Sequence, residues 1–159
     1  MKNKVTLLVI GLVAGALLAG VGMVSVMPKM MLHENESPLG YQETIAHLEN
    51  VITNSGWIIS RKINMQKSIA QYGKKIPPVT IIKICQADYA DKILNTDEAM
   101  YVSVMMPCSI AVYQKSDGKT YVSTMNTGLM GKMFGGVVAD VMGGPVAKDE
   151  EKFMEFLNN

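Results

Sequence analysis

"CSIAVYQKSDGKTYVSTM", residues 108–125, is the stretch on which the fold turns. Two runs rich in β-branched and aromatic residues are separated by Ser116-Asp117-Gly118, a turn signal that folds an extended chain back on itself. An antiparallel hairpin is therefore expected. Upstream, "VTIIKIC" (79–85) is a strand with almost no polar interruption, which suggests a place inside a sheet. "WIISRKINM" (57–65) has strand composition too, and "QKSIAQYGKK" after it is weakly helical until Pro77 and Pro78 break the chain.

Helical spacing surrounds these strands. In "YQETIAHLENVITNSGW" (41–57), Ile45, Leu48, Val51 and Ile52 share one face and Gly56 stands where a helix ends. "DYADKILNTDE" puts Tyr89, Ile93 and Leu94 on a short helical face. After the hairpin, "NTGLMGKMFGGVVADVMGGP" carries the rows Leu129, Met133, Val137 and Met130, Phe134, Val138, Met142. Its six glycines make that helix intrinsically weak, at ~1 kcal/mol each relative to Ala, so close packing must hold it. In "KDEEKFMEFL" the acidic residues suit the positive end of a helix dipole, and "DEEK" reads as a solvated helix start, with Phe153, Phe156 and Leu157 as the apolar stripe.

The first 27 residues differ in kind. Residues 5–27, "VTLLVIGLVAGALLAGVGMVSVM", run for twenty-three positions without a charge, against about 20 for a membrane-spanning helix. The run is longer than a secretory signal's and lacks a small-residue cleavage site after Met27. An uncleaved transmembrane helix is expected, with Lys2 and Lys4 (1–4) cytoplasmic. Gly11, Gly15 and Ala19 form a small-residue row that lets another helix approach. "PKMMLHENESPLG" (28–40) reads as a tether, and an extracytoplasmic, periplasmic-side domain spans 41–159. Beyond Lys2 and Lys4 the chain has thirteen basic against fourteen acidic residues, a balance that argues against nucleic acid.

The succession "YQETIAHLENVITNSGW", "IIKICQADYADKIL", "MPCSIAVYQKSDGKTYVSTMN" resembles the bacterial and archaeal family known as domain of unknown function 302, over roughly 41–126. The resemblance implies an α+β fold, an antiparallel sheet flanked by helices, and a homo-oligomer; it implies no activity. This chain departs from the family pattern at Cys85 and Cys108, its only two cysteines. If the strands bearing them are antiparallel neighbours, as the family fold implies, the two thiols meet at one sheet edge.

Three chemistries then fit. A structural disulfide suits an extracytoplasmic compartment. A soft-metal (copper), haem-associated or thiol-redox site would combine Cys85 and Cys108 with sulfur from Met105 or Met106. Two buried thiols would simply pack as small apolar groups. His33 lies in the tether and His47 on the helix face away from Ile45 and Leu48, so neither completes a zinc-type cluster. No nucleophile beside a base, paired carboxylates or phosphate loop marks an enzyme, and no cofactor is required. The leading expectation is an accessory or interaction subunit of a membrane assembly, partnered by the membrane and by its own copies or other subunits of that complex.

Overall fold

The computed structural model describes residues 29–158 without a gap, together with 10–12, 15, 17, 20, 26 and 27. Most of the expected transmembrane run 5–27, and the cytoplasmic 1–4 with it, lies outside the described residues. Among the described residues no helix is long and apolar enough to cross a membrane.

The hairpin forms as read: β4 (Cys108–Gln114) turns into β5 (Thr120–Met125). Gly118 takes the left-handed φ of +80° that the turn demands, and Asp117 accepts a hydrogen bond from the Lys119 N–H at 2.9 Å. Around it stand β1 (Leu32–Glu36), β2 (Ile58–Asn64) and β3 (Val79–Cys85), giving a five-stranded sheet of order β1-β5-β4-β3-β2 with every pairing antiparallel. β3 is interior, as its apolar run suggested.

β1 corrects the expected tether. Residues 28–40 contain a strand because the backbone of Leu32–Glu36 pairs in register with Met125–Tyr121. Glu34 and Glu36 reinforce that pairing through salt bridges to Lys115 (2.7 Å) and Lys119 (2.8 Å). An edge strand exposed at all five positions carries no apolar alternation, so "LHENE" reads as linker until its partner is in place.

Helices line one face of the sheet. α1 (Tyr41–Asn54) buries Thr44, Ile45, Leu48 and Ile52. It ends at Gly56, with φ +78°, where the Trp57 N–H reaches the Ile52 carbonyl (3.2 Å) and the Gly56 N–H that of Thr53 (3.1 Å). This closing pair satisfies carbonyls the helix would leave open and sends Trp57 into the core. α2 (Met65–Ala70) follows β2, and α3 (Ala87–Leu94) follows β3. On α3 Ile93 is buried, whereas Leu94 stays exposed. A tight 3-10 segment, Asp97–Met105, then leads to the hairpin.

The glycine-rich stretch is not one helix. It breaks at Gly135 and Gly136, whose φ values of +72° and +51° no helix interior adopts. α4 (Thr127–Phe134) and α5 (Gly136–Val141) are followed by a π-helical turn, Met142–Val146, and α6 (Ala147–Met154). A Cβ at Gly131 would lie 2.5 Å from the Gly143 nitrogen, so these two glycines let two backbones cross in contact. The surface of α4 at Gly131 is thus occupied from within the chain. Met130, Val138 and Met142 of the second row are buried, while Phe134 is partly exposed and lies edge-on to Tyr101 at 6.0 Å.

The core gathers Leu48, Ile52, Ile82, Ile84, Ile110, Val112, Val122 and Phe153 between sheet and helices. Strand alternation leaves Val79, Ile81, Lys83, Cys85, Ala111, Tyr113 and Tyr121 on the opposite face. None of these packs against the core cluster.

Candidate functional site: a buried acid under the sheet

The strands carrying the two cysteines are indeed antiparallel neighbours, but the register pairs Cys108 with Ile84, and Cys85 with Ile58 of β2. Residues directly opposite share a face and successive residues alternate. Cys108 therefore sits with Ile84 on the helix-covered side and packs against the core, whereas Cys85 belongs to the uncovered side. Both are free thiols. Topology brings the cysteines to one end of the sheet, where the pleat sets them on opposite sides and both still reach the lining of one cavity.

Cys108, Met106, Trp57, Tyr89 and Ile93 surround an apolar cavity of about 30 Å³, the room of about one water. Burial pushes the Cys108 thiol up to about 11, helped by the nearby Glu150 and then Cys85. Such a thiol is a poor nucleophile and a poor metal ligand. Met105 ends the 3-10 segment and packs on the core. Among the described residues no three His, Cys, Asp or Glu side chains are grouped closely enough to hold a metal.

A different group of residues, which the sequence did not single out, carries more chemistry. Asp149, in the first turn of α6, accepts hydrogen bonds from Trp57 Nε1 (3.1 Å) and the Tyr89 hydroxyl (3.4 Å), bracing α6 against α3 and the start of β2. Glu150 points the other way. The Thr127 hydroxyl donates to its Oε2 at 2.6 Å, and the Thr124 hydroxyl lies near enough to favour the charged form. Burial nonetheless dominates, pushing the Glu150 carboxyl up to about 7 against the pull of those hydroxyls.

Glu150 lines a pocket of about 140 Å³ between α6, the start of α4 and the β1–β5 edge. His33 and Asn35 form its outer wall, and His33 stands directly opposite Thr124 in the sheet register. Asn126 caps α4 by accepting from the Leu129 N–H (2.9 Å) and donates to the Met30 carbonyl (2.9 Å), tying the chain before β1 to the pocket rim. The pocket thus joins two segments dismissed on sequence grounds: the tether holding His33 and the acidic start of α6. One signal was legible. Val146, Glu150, Phe153 and Leu157 recur at the four-three-four spacing of a single helical face, so Glu150 falls within the apolar stripe rather than opposite it.

A five-stranded antiparallel sheet flanked by helices, with one face left open, defines an α+β sandwich of two layers. The chain belongs to the family described as domain of unknown function DUF302, whose match runs over residues 33–157. Among solved structures, it resembles the crystal structure of an uncharacterized conserved protein DUF302 from Bacillus stearothermophilus, with a TM-score of 0.69 at 19% identity, over 80% of this chain and 98% of that one. That likeness concerns the fold. Among curated proteins none matches the chain.

Proposed function

We propose that the domain is an interaction subunit of a membrane-associated assembly, anchored by residues 5–27 and docking through the uncovered face of its sheet onto a second copy of itself. The observation that carries this reading is the composition of β3. A half-solvated strand normally alternates apolar with polar residues. In β3 the outward positions are Val79, Ile81, Lys83 and Cys85, flanked on β4 by Ala111 and Tyr113 and on β2 by Ile63, which is the makeup of a strand covered on both sides. Glu34 and Glu36, at the β1 margin of this face, are already paired within the chain with Lys115 and Lys119, so the apolar strip rather than a charge pattern carries the self-pairing.

The test is the mass of the full chain in detergent at micromolar concentration. A dimer or higher oligomer is expected, with Ile81→Glu yielding folded monomer. A wild-type monomer, or an oligomer unaffected by Ile81→Glu, removes this reading.

A further inference from the structure

We infer that the Glu150 pocket is a binding site for a small organic ammonium ion, a protonated primary amine of a few heavy atoms. The reasoning starts from charge. Glu150 is partly buried, its open side facing the pocket, yet no Lys or Arg among the described residues bridges to it, and the pocket walls contain neither residue. A buried carboxylate without a cation is costly, and a ligand that brings the missing charge recovers that cost. An anion has nothing to bind here, since Glu150 and Glu151 both contribute to the wall.

The chemistry of the wall narrows the cation. Three or more grouped carboxylate, imidazole or thiolate ligands would be needed for a bare metal ion, and none is found among the described residues. An ammonium instead needs two or three acceptors around one nitrogen. Glu150, Asn35 and His33 line the same space and between them carry a carboxylate, an amide carbonyl and an imidazole nitrogen, while Met154 and Ala147 offer apolar surface to a short alkyl chain. At about 140 Å³ the space equals that of four to five waters at about 30 Å³ each. A short amine of a few heavy atoms fills that space. The Thr127 hydroxyl keeps the carboxyl oriented whether or not the ligand is present.

Binding requires ionised Glu150, whose carboxyl burial pushes up to about 7, so affinity should rise several-fold from pH 6 to pH 8. The other titratable groups around that carboxyl are His33 on β1, Glu151 on α6 and Cys108 on β4.

The chain has only two histidines, which makes the test direct. Full-length protein labelled with ¹³C at histidine gives one ring signal from His33 in the pocket and one from His47, which packs on Phe156 outside it. Titration with n-propylammonium chloride should move the His33 signal saturably and leave His47 in place. Tetramethylammonium, equally charged but without an N–H, should not reproduce it. Glu150→Gln, which keeps the shape and the threonine contacts, should weaken the response at least about tenfold, as expected for losing a charge-assisted hydrogen bond. Met154→Phe, narrowing the apolar wall with Glu150 intact, should weaken it as well. The proposal is overturned if His33 does not respond, if both histidines shift alike, if Glu150→Gln and Met154→Phe each bind like wild type, or if a divalent cation saturates the His33 shift where the amine does not.

Discussion

Two cavities lie beneath the same end of the sheet, separated by the turn from Val146 into Ala147; Cys108 lines the first and Glu150 the second, each of them partly buried. Around Cys108 the walls are tryptophan, tyrosine, isoleucine and methionine, and the thiol is pushed up to about 11, out of reach of physiological pH. Around Glu150 the walls mix hydroxyls, amides and an imidazole, and the carboxyl is held at about 7, where it can gain or lose a proton. Burial raises both. Polar partners and room for a ligand separate an inert group from a usable one.

The largest expected effect concerns stability against pH. Glu150 rises from an ordinary 4.5 to about 7 on folding, so the folded state holds its proton more tightly than the unfolded one. Below pH 4.5 the group is neutral in both states and costs nothing; as pH climbs from 4.5 through 7, the folded state must carry a buried charge and stability falls. The shift corresponds to about 3 kcal/mol. Urea unfolding should therefore show Glu150→Gln gaining about that much on wild type between pH 4.5 and pH 8. Parallel profiles for the two proteins would mean the carboxyl is well solvated and the contrast between the cavities is false.

Next comes the glycine crossing of α4 with the π-helical turn. Gly131→Ala forces a methyl into the Gly143 backbone and should destabilise by about 1–3 kcal/mol through overpacking, read as a lower urea midpoint with unchanged slope. An unperturbed variant would show that the two segments can part freely. Cys108→Ser sharpens the apolar side: a hydroxyl without a partner there should cost about 1–2 kcal/mol. Reductant should leave wild-type stability unchanged, and in the folded state Cys108 should alkylate about tenfold or more slowly than Cys85. Equal stability loss on reduction would restore the disulfide. The smallest effect belongs to the rim. Tyr113→Phe removes a donor to Glu34, whose carboxyl is held below its ordinary value chiefly by Lys115 and secondarily by this hydroxyl. The group is exposed, and the loss should stay under about 1 kcal/mol.

How much of this was legible depends on whether a residue's role is local. The Asp117-Gly118 hairpin, the Ile45–Ile52 helical face ending at Gly56, and the interior place of "VTIIKIC" all follow from spacing and backbone preference within a dozen residues. The family could be recognised for the same reason. Cys85 and Cys108 mark the limit. Proximity could be inferred from topology, but facing required the register, because a shift of one residue reverses every side chain on a strand.

The amino-acid sequence by itself determined the α+β class, the antiparallel hairpin, the near-neutral charge of the chain beyond its apolar N-terminal run, and the need for tight packing in the glycine-rich stretch. Only the tertiary structure decided that "LHENE" is a strand, that the glycine-rich stretch folds back at Gly135, and that His33 and Glu150, 117 positions apart, share one pocket. The physical reason is common to all three. An edge strand, a backbone crossing and a buried acid each take their stability from a partner distant along the chain, and no local pattern records a partner that only folding supplies.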